Sequence, residues 1–311
     1  MRDDSGGITI IDTGYVRPAL CAAYLVRSEG RAALIDCGTA TCAPRVLAAI
    51  DAAGVDRASI DWVMVTHVHL DHAGGAGPLM RALPSARLVV HPRGAPHMID
   101  PTRLIAGAKA VYGEADFARD HAGMLPVPES RVVIADDGHV VDLAGRALVC
   151  VDTPGHARHH YSVWDAATRS WFAGDTFGIS YRELDTERGA FVIPTSSPVQ
   201  FDPGAMKDSV CRILAEAPAR VYLTHYGEVT DCQQLGSDLI AQVDEMAALA
   251  RALARDPDRH GHLVEALTRL YVKRAQRHGV TDAASRVPRL LAMDIELNAQ
   301  GLGDWLRRDA C

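Results

Sequence analysis

The sequence contains no apolar run approaching the ~18 residues that suggest a membrane span, so no spanning helix is expected. It also contains no Lys/Arg block, and its formal net charge is −7. Nucleic acids and anionic membrane surfaces are gripped by clustered positive charge, so neither is an expected partner. The leading residues, Met1 to Gly7, lack the apolar core of a signal peptide. None of the seven cysteines, at 21, 37, 42, 150, 211, 232 and 311, forms a Cys-x-x-Cys pair. An odd number at irregular spacing, without a leader, predicts reduced thiols and a cytoplasmic location. No solenoid-like repeat and no low-complexity tract is visible.

What is present is an ordinary globular composition, 48% hydrophobic and 23% charged over 311 residues. That supports one large core, or one large domain with an appendage. Short strands are expected at Ile8 to Ile11, and at Ala22 to Val26 and Ala32 to Ile35 around the turn Ser28-Glu29-Gly30. Further strands are expected at Asp61 to Thr66, Arg87 to Val90, Val132 to Ile134, Val140 to Asp142, Ala147 to Val151, Tyr161 to Trp164, Trp171 to Ala173 and Val221 to Leu223. Helices are expected at Pro44 to Ala53, from about Gly75, and at Ala205 to Glu216. Residues 94 to 129 and 178 to 202 are irregular, the first suiting an insertion over a site. From Asp231 the pattern is purely helical, with Gln234 to Arg255, His262 to Arg277 and Ala283 to Leu306 each read as one helix. We therefore expect a layered α/β fold with a mixed sheet. Residues 1–230 would form the catalytic domain and 231–311 a helical C-terminal extension.

The strongest chemical signal is Thr66-His67-Val68-His69-Leu70-Asp71-His72, directly after an apolar strand. In extended chain, positions i and i+2 point the same way, so His67 and His69 can reach one point. A turn after His69 would aim Asp71 and His72 at a second point nearby. Imidazole with carboxylate suits Zn²⁺, and also iron or manganese. Three further strand ends carry His156 (after Thr153-Pro154-Gly155), Asp175 (after Gly174) and His225 (after Thr224). Each alone is a weak signal, since a strand-end aspartate more often forms a turn or caps a helix. Together they make five histidines and two aspartates, more than one tetrahedral ion takes, and a metal pair with a bridging carboxylate and water would use all seven.

These motifs, in this order from residue 8 to 230, resemble the metallo-β-lactamase-fold hydrolases, which include glyoxalase II and the acyl-homoserine lactonases. The resemblance implies an αββα sandwich with the site at one edge of its two sheets. It implies that His67, His69 and His156 hold one metal, that Asp71, His72 and His225 hold the second, and that Asp175 bridges them. It implies a small-molecule substrate, an ester, thioester or lactone, attacked by metal-activated hydroxide. Asp71 is then both ligand and proton shuttle to the leaving group. By the same resemblance Tyr181 or Tyr226 could assist the oxyanion, although packing with a hydrogen-bonded hydroxyl suits each. His159 and His160 follow His156 closely in sequence, so one of them could orient a ligand or touch substrate. His91, His97 and Tyr112 are further site-lining candidates. The competing class is iron-dependent redox chemistry, since persulfide dioxygenases and oxygen-binding di-iron proteins share the fold. A homodimer is the default assembly on base rates.

Overall fold

The computed structural model describes residues 2–4, by backbone alone, and residues 6–309, so Cys311 and the readings of Met1 and Ser5 lie outside the described residues. Two compact units emerge. The first runs to Asp152 and adds His159–Gly174 and Val221–Glu228; the second comprises Thr153–Arg158, Asp175–Arg220 and the chain from Val229 onward.

The first unit is built around two sheets. One contains β1 (Arg2–Asp4), β2 (Ile8–Asp12), β3 (Ala22–Ser28), β4 (Arg31–Ile35), β5 (Ile60–Met64), β6 (Arg87–Val90) and β7 (Val132–Ile134), in sequence order. β1 to β4 pair antiparallel and β4 to β7 parallel. The change has a local cause. Glu29 and Gly30 both take left-handed φ, 44° and 76°, which closes a tight hairpin between β3 and β4. The connections after β4 instead carry helices, Ala43–Ala52 and then Ala76–Ala82, and parallel pairing needs such crossovers.

The other sheet has the order β13-β12-β11-β10-β9-β8, where β8 is His139–Leu143, β9 Arg146–Asp152, β10 Tyr161–Asp165, β11 Ser170–Phe172, β12 Arg220–Leu223 and β13 Gly227–Val229. Side-chain alternation along β3 shows the layering. Ala23 and Leu25 pack among helical residues such as Val46, Ile50 and Leu79, while Tyr24 and Val26 pack with Leu148, Cys150, Val163 and Phe172 of the other sheet. A strand covered on both faces has no polar stripe, which is why Ala22 to Val26 reads as continuous apolar sequence.

The second unit is helical: Pro203–Ala215, Cys232–Ala252, Arg259–His278, Ala283–Leu290 and Ala292–Asp309. The single helix expected over Ala283 to Leu306 is therefore two. Pro288 lies inside the first and removes a backbone donor there, and the chain departs from helical geometry at Leu291. The insertion expected at 94 to 129 holds three helices, Ala95–Ile99, Thr102–Tyr112 and Glu114–Asp120, the last two separated by Gly113 at φ 81°. The six described cysteines are free. Among the described residues no helix is long and apolar enough to cross a membrane.

Candidate metal centre

The expected turn follows His69. That residue is still extended (φ −61°, ψ 150°), and Leu70–Ala73 then coils into a single helical turn, with the Ala73 amide donating to the His69 carbonyl. His67 and His69 project before the coil, Asp71 and His72 from within it. The His67 Nε2 and His69 Nδ1 atoms face each other at 2.9 Å. Asp71, His72 and His225 form a second group, whose ligand atoms all lie within 4.8 Å of one another. Asp71 Oδ2 is 3.1 Å from His225 Nε2 and 3.8 Å from His72 Nε2.

The tautomers fit cation binding. His225 Nδ1 donates to the Leu20 carbonyl at 2.9 Å, and His72 Nδ1 lies 2.9 Å from Asp36 Oδ2. A ring that carries its proton on Nδ1 presents a lone pair on Nε2, the atom turned toward Asp71 in both cases. A tetrahedral ion with bonds of about 2.0–2.1 Å spaces its ligand atoms roughly 3.3 Å apart. The observed separations bracket that value.

Asp36, at the end of β4, is the residue that sequence reasoning missed. It is fully buried. Its carboxyl oxygens accept from the Thr66 amide (2.8 Å), the Thr66 hydroxyl (3.0 Å), the Thr224 hydroxyl (2.7 Å) and His72 Nδ1 (2.9 Å). The two threonines that precede ligands thus share one acceptor, and the strand ends carrying His67 and His225 are tied to the same carboxyl. The Thr66 hydroxyl also lies 3.2 Å from His67 Nδ1, leaving Nε2 of that ring facing His69. In sequence, Leu34-Ile35-Asp36 resembles any strand closing in a turn. The available signal was an aspartate directly after the apolar run Ala32 to Ile35.

In the second unit, His156 and Asp175 come together, with Nε2 and Oδ2 3.4 Å apart. The loop before His156 requires its glycine. Gly155 has φ +132°, and a Cβ there would lie 2.3 Å from Met206 Cα. The Asp202 amide bonds to the Gly155 carbonyl and the Ser209 hydroxyl to that of Pro154, fastening the loop to the helix Pro203–Ala215. His156 Nδ1 lies 3.4 Å from the Thr195 carbonyl. The next residue, Ser196, is held by the last helix: Asn298 Oδ1 accepts from the Ser196 amide at 2.6 Å, while Asn298 Nδ2 donates to the Pro194 carbonyl and the Tyr271 hydroxyl. A C-terminal helix therefore helps to hold a site histidine.

The other expected residues are placed as follows. His160 is buried and stacks on His67 at 5.0 Å, and His159 Nδ1 accepts the Val68 amide at 3.5 Å. His91 bonds to Asp152 at 3.1 Å. The Tyr181 hydroxyl donates to Asp294 at 3.0 Å, and Tyr226 packs against the core between the sheets. Tyr112 stacks on His121 at 4.7 Å, and the Tyr15 hydroxyl lies 3.2 Å from Nε2 of that histidine. Neither Tyr15 nor His121 stood out in the sequence.

Comparison with known proteins decides the family. The sequence profile of the metallo-beta-lactamase superfamily matches residues 16–225. The chain belongs to that superfamily. Its architecture is accordingly the layered α/β fold of this superfamily, two sheets with helices, followed by a helical C-terminal region. It is similar to a metallo-beta-lactamase fold-containing protein of Sulfurisphaera tokodaii, at 26% identity over 72% of this chain and 80% of that one. It is similar also to a hydroxyacylglutathione hydrolase of Acidiphilium cryptum, at 32% identity over 50% of this chain and 48% of that one. A ribonuclease Z of Mycobacterium marinum matches at 28% identity over 78% and 91%. The solved structure of an archaeal metallo-beta-lactamase superfamily protein from Sulfolobus tokodaii superposes with TM-score 0.68 and 22% identity over 96% of this chain and 99% of that one. At such identity the likeness speaks to fold.

Proposed function

We propose that the protein is a dinuclear metal-dependent hydrolase that cleaves a small ester, thioester or lactone. The observation that carries this reading is the Asp71-His72-His225 group, with both rings set to present Nε2, in a chain of this superfamily. We take His67, His69 and His156 as holding one ion and Asp71, His72 and His225 as holding the other. Asp175, paired with His156, would supply a further carboxylate ligand to such ions. Zinc is the first expectation from an imidazole and carboxylate donor set, with iron and manganese compatible. Divalent ions in such a pair lower the pKa of bound water toward neutrality and polarise an acyl carbonyl.

The chain's own residues supply the rest. Asp71 is half-buried where most of its neighbours are buried, so it can both hold its place and pass a proton to the leaving group. Asp36 fixes Thr66, Thr224 and His72, which keeps the site ordered before substrate arrives. The hydroxyacylglutathione hydrolase relative supports thioester chemistry. The ribonuclease Z relative gives a nuclease reading, and the net charge of −7 weighs against a polyanionic substrate. The test is a panel of acyl thioesters, esters, lactones and a structured RNA, run on metal-loaded wild type and on Asp71→Asn. Turnover of one acyl class, reduced at least about a hundredfold in the variant while part of the metal is retained, is expected. Cleavage of RNA alone, or an unaffected variant, contradicts the reading.

A further inference from the structure

The second unit contains a cavity of about 660 Å³, and none of the proposed metal ligands lines it. That volume lies within the usual range of small-molecule pockets. Three stretches of the same unit form its walls: residues 188–192, the opening turns of the helix Cys232–Ala252 and the last turn of the helix Arg259–His278.

Hydrogen bonds fix the 188–192 wall at both ends. The Thr186 hydroxyl donates to the His278 carbonyl at 2.9 Å, and the Arg188 guanidinium donates to the Arg277 carbonyl at 2.8 Å. His278 Nε2 donates to the Gly189 carbonyl at 3.1 Å. Toward the other helix, the fully buried Gln242 donates from Nε2 to the Val192 carbonyl at 2.9 Å and to Asp238 at 3.0 Å. A wall tied to both helices keeps its shape before any ligand arrives, which lowers the ordering cost of binding.

The charged groups on these walls are not balanced. Arg274 is engaged already: its guanidinium pairs with Asp238 at 2.8 Å and Glu245 at 3.0 Å, and its side chain is 14% exposed. Arg188 and Arg277 line the same cavity, and among the described residues neither forms an ion pair. Asp231 is the one wall carboxylate in the same condition. Two unpaired guanidiniums against one unpaired carboxylate leave an excess of positive charge. Arg277 would complement the dipole of its helix C-terminus in any setting. That role explains neither the cavity nor the convergence of Arg188 on the same place. Beside these cations the wall turns apolar, with Phe191, Val192 and Leu235, and the Phe191 ring lies 5.5 Å from that of His278.

We propose that this cavity is a second ligand site, sharing no residue with the metal centre, that takes a small organic anion. Arg188 and Arg277 hold its carboxylate or phosphate head, since a guanidinium offers paired donors that match either group. Phe191, Val192 and Leu235 receive an apolar or aromatic body. The inference does not depend on the hydrolase reading.

Calorimetric titration of the metal-loaded, full-length protein tests it, with 3-phenylpropionate, phenyl phosphate, uncharged 3-phenylpropanamide and cationic phenylethylamine as probes. One anion should bind saturably, at one site per chain, at least about tenfold more tightly than the amide or the amine. Tighter binding of phenylpropionate identifies a carboxylate site, and tighter binding of phenyl phosphate a phosphate site. Arg188→Gln and Arg277→Gln, both at exposed positions, should each weaken that binding about tenfold or more. Arg269→Gln, on the same helix but paired with Glu265 and outside the cavity, should leave it unchanged. Anion binding that survives both replacements places the anion on the metals or on general surface charge and overturns the inference. Tighter binding of the amine, or no saturable binding of either anion, overturns it as well.

Discussion

Asp36→Asn removes one oxygen from the carboxyl that gathers the site. Four donor contacts reach that group, from the Thr66 amide, the Thr66 and Thr224 hydroxyls and His72 Nδ1, at 2.7–3.0 Å. Asparagine preserves shape and volume but turns one acceptor into a donor. With its oxygen kept against the Thr66 amide, the new NH₂ faces His72 Nδ1 and the Thr224 hydroxyl. The hydroxyl can rotate to accept, whereas the histidine can do so only by giving up its ligand tautomer. Loss of bonds to a charged acceptor, plus a stranded buried donor, costs about 3–5 kcal/mol of folding stability. Disturbing the group that orients His72, a proposed metal ligand, should weaken metal affinity about 10- to 100-fold. Urea denaturation of the metal-free protein reads the first effect, and competition with a chelator reads the second. A stability change below about 1 kcal/mol together with unaltered metal affinity would refute the role given to Asp36.

Three further outcomes are expected. His67→Ala and Asp175→Ala should each lose metal and most hydrolysis while keeping native circular dichroism, and full activity in either would remove it from the ligand set. Gly301→Ala places a Cβ 1.4 Å from the Ser196 carbonyl oxygen. The last helix must then shift, at a cost of about 3 kcal/mol or more in urea melts, and a neutral result would show that the helix does not clamp the loop at 194–197. The third concerns pH. Burial holds the His121 pKa below its ordinary value, while Asp71, Asp120 and Asp116 pull it up and Arg119 opposes them. Below about pH 6.5 the unfolded chain binds a proton that the folded ring refuses, so acidification costs stability, and above that pH the group contributes nothing. Stability should therefore fall more between pH 7.5 and 5.5 in wild type than in His121→Phe, and parallel slopes would contradict the buried neutral ring.

The sequence carried the candidate metal centre further than its surroundings. Four potential ligand residues within six positions, after the apolar strand that ends at Met64, signal chemistry because spacing alone orients them. His156, Asp175 and His225 gained weight only from their shared position at strand ends. Asp36 was illegible because a strand-end aspartate usually caps a turn, and its three partner residues come from two segments, 66–72 and Thr224, that are distant from it in sequence. Tyr15 and His121 meet only in the folded chain. Their contact depends on how the insertion packs, which local pattern does not encode. The break at Leu291 lies three residues beyond Pro288, and the apolar spacing on both sides concealed it. The role of Asn298 in bracing the loop before His156's partner Thr195 was likewise a tertiary fact.

The most direct test of the central claim is elemental analysis of the purified, untagged protein by plasma mass spectrometry, reported as metal per chain. The account predicts about two divalent ions per chain, zinc foremost, in wild type, and a marked loss in His225→Ala. A chain that holds no metal, even after reconstitution with zinc, iron or manganese, would contradict it.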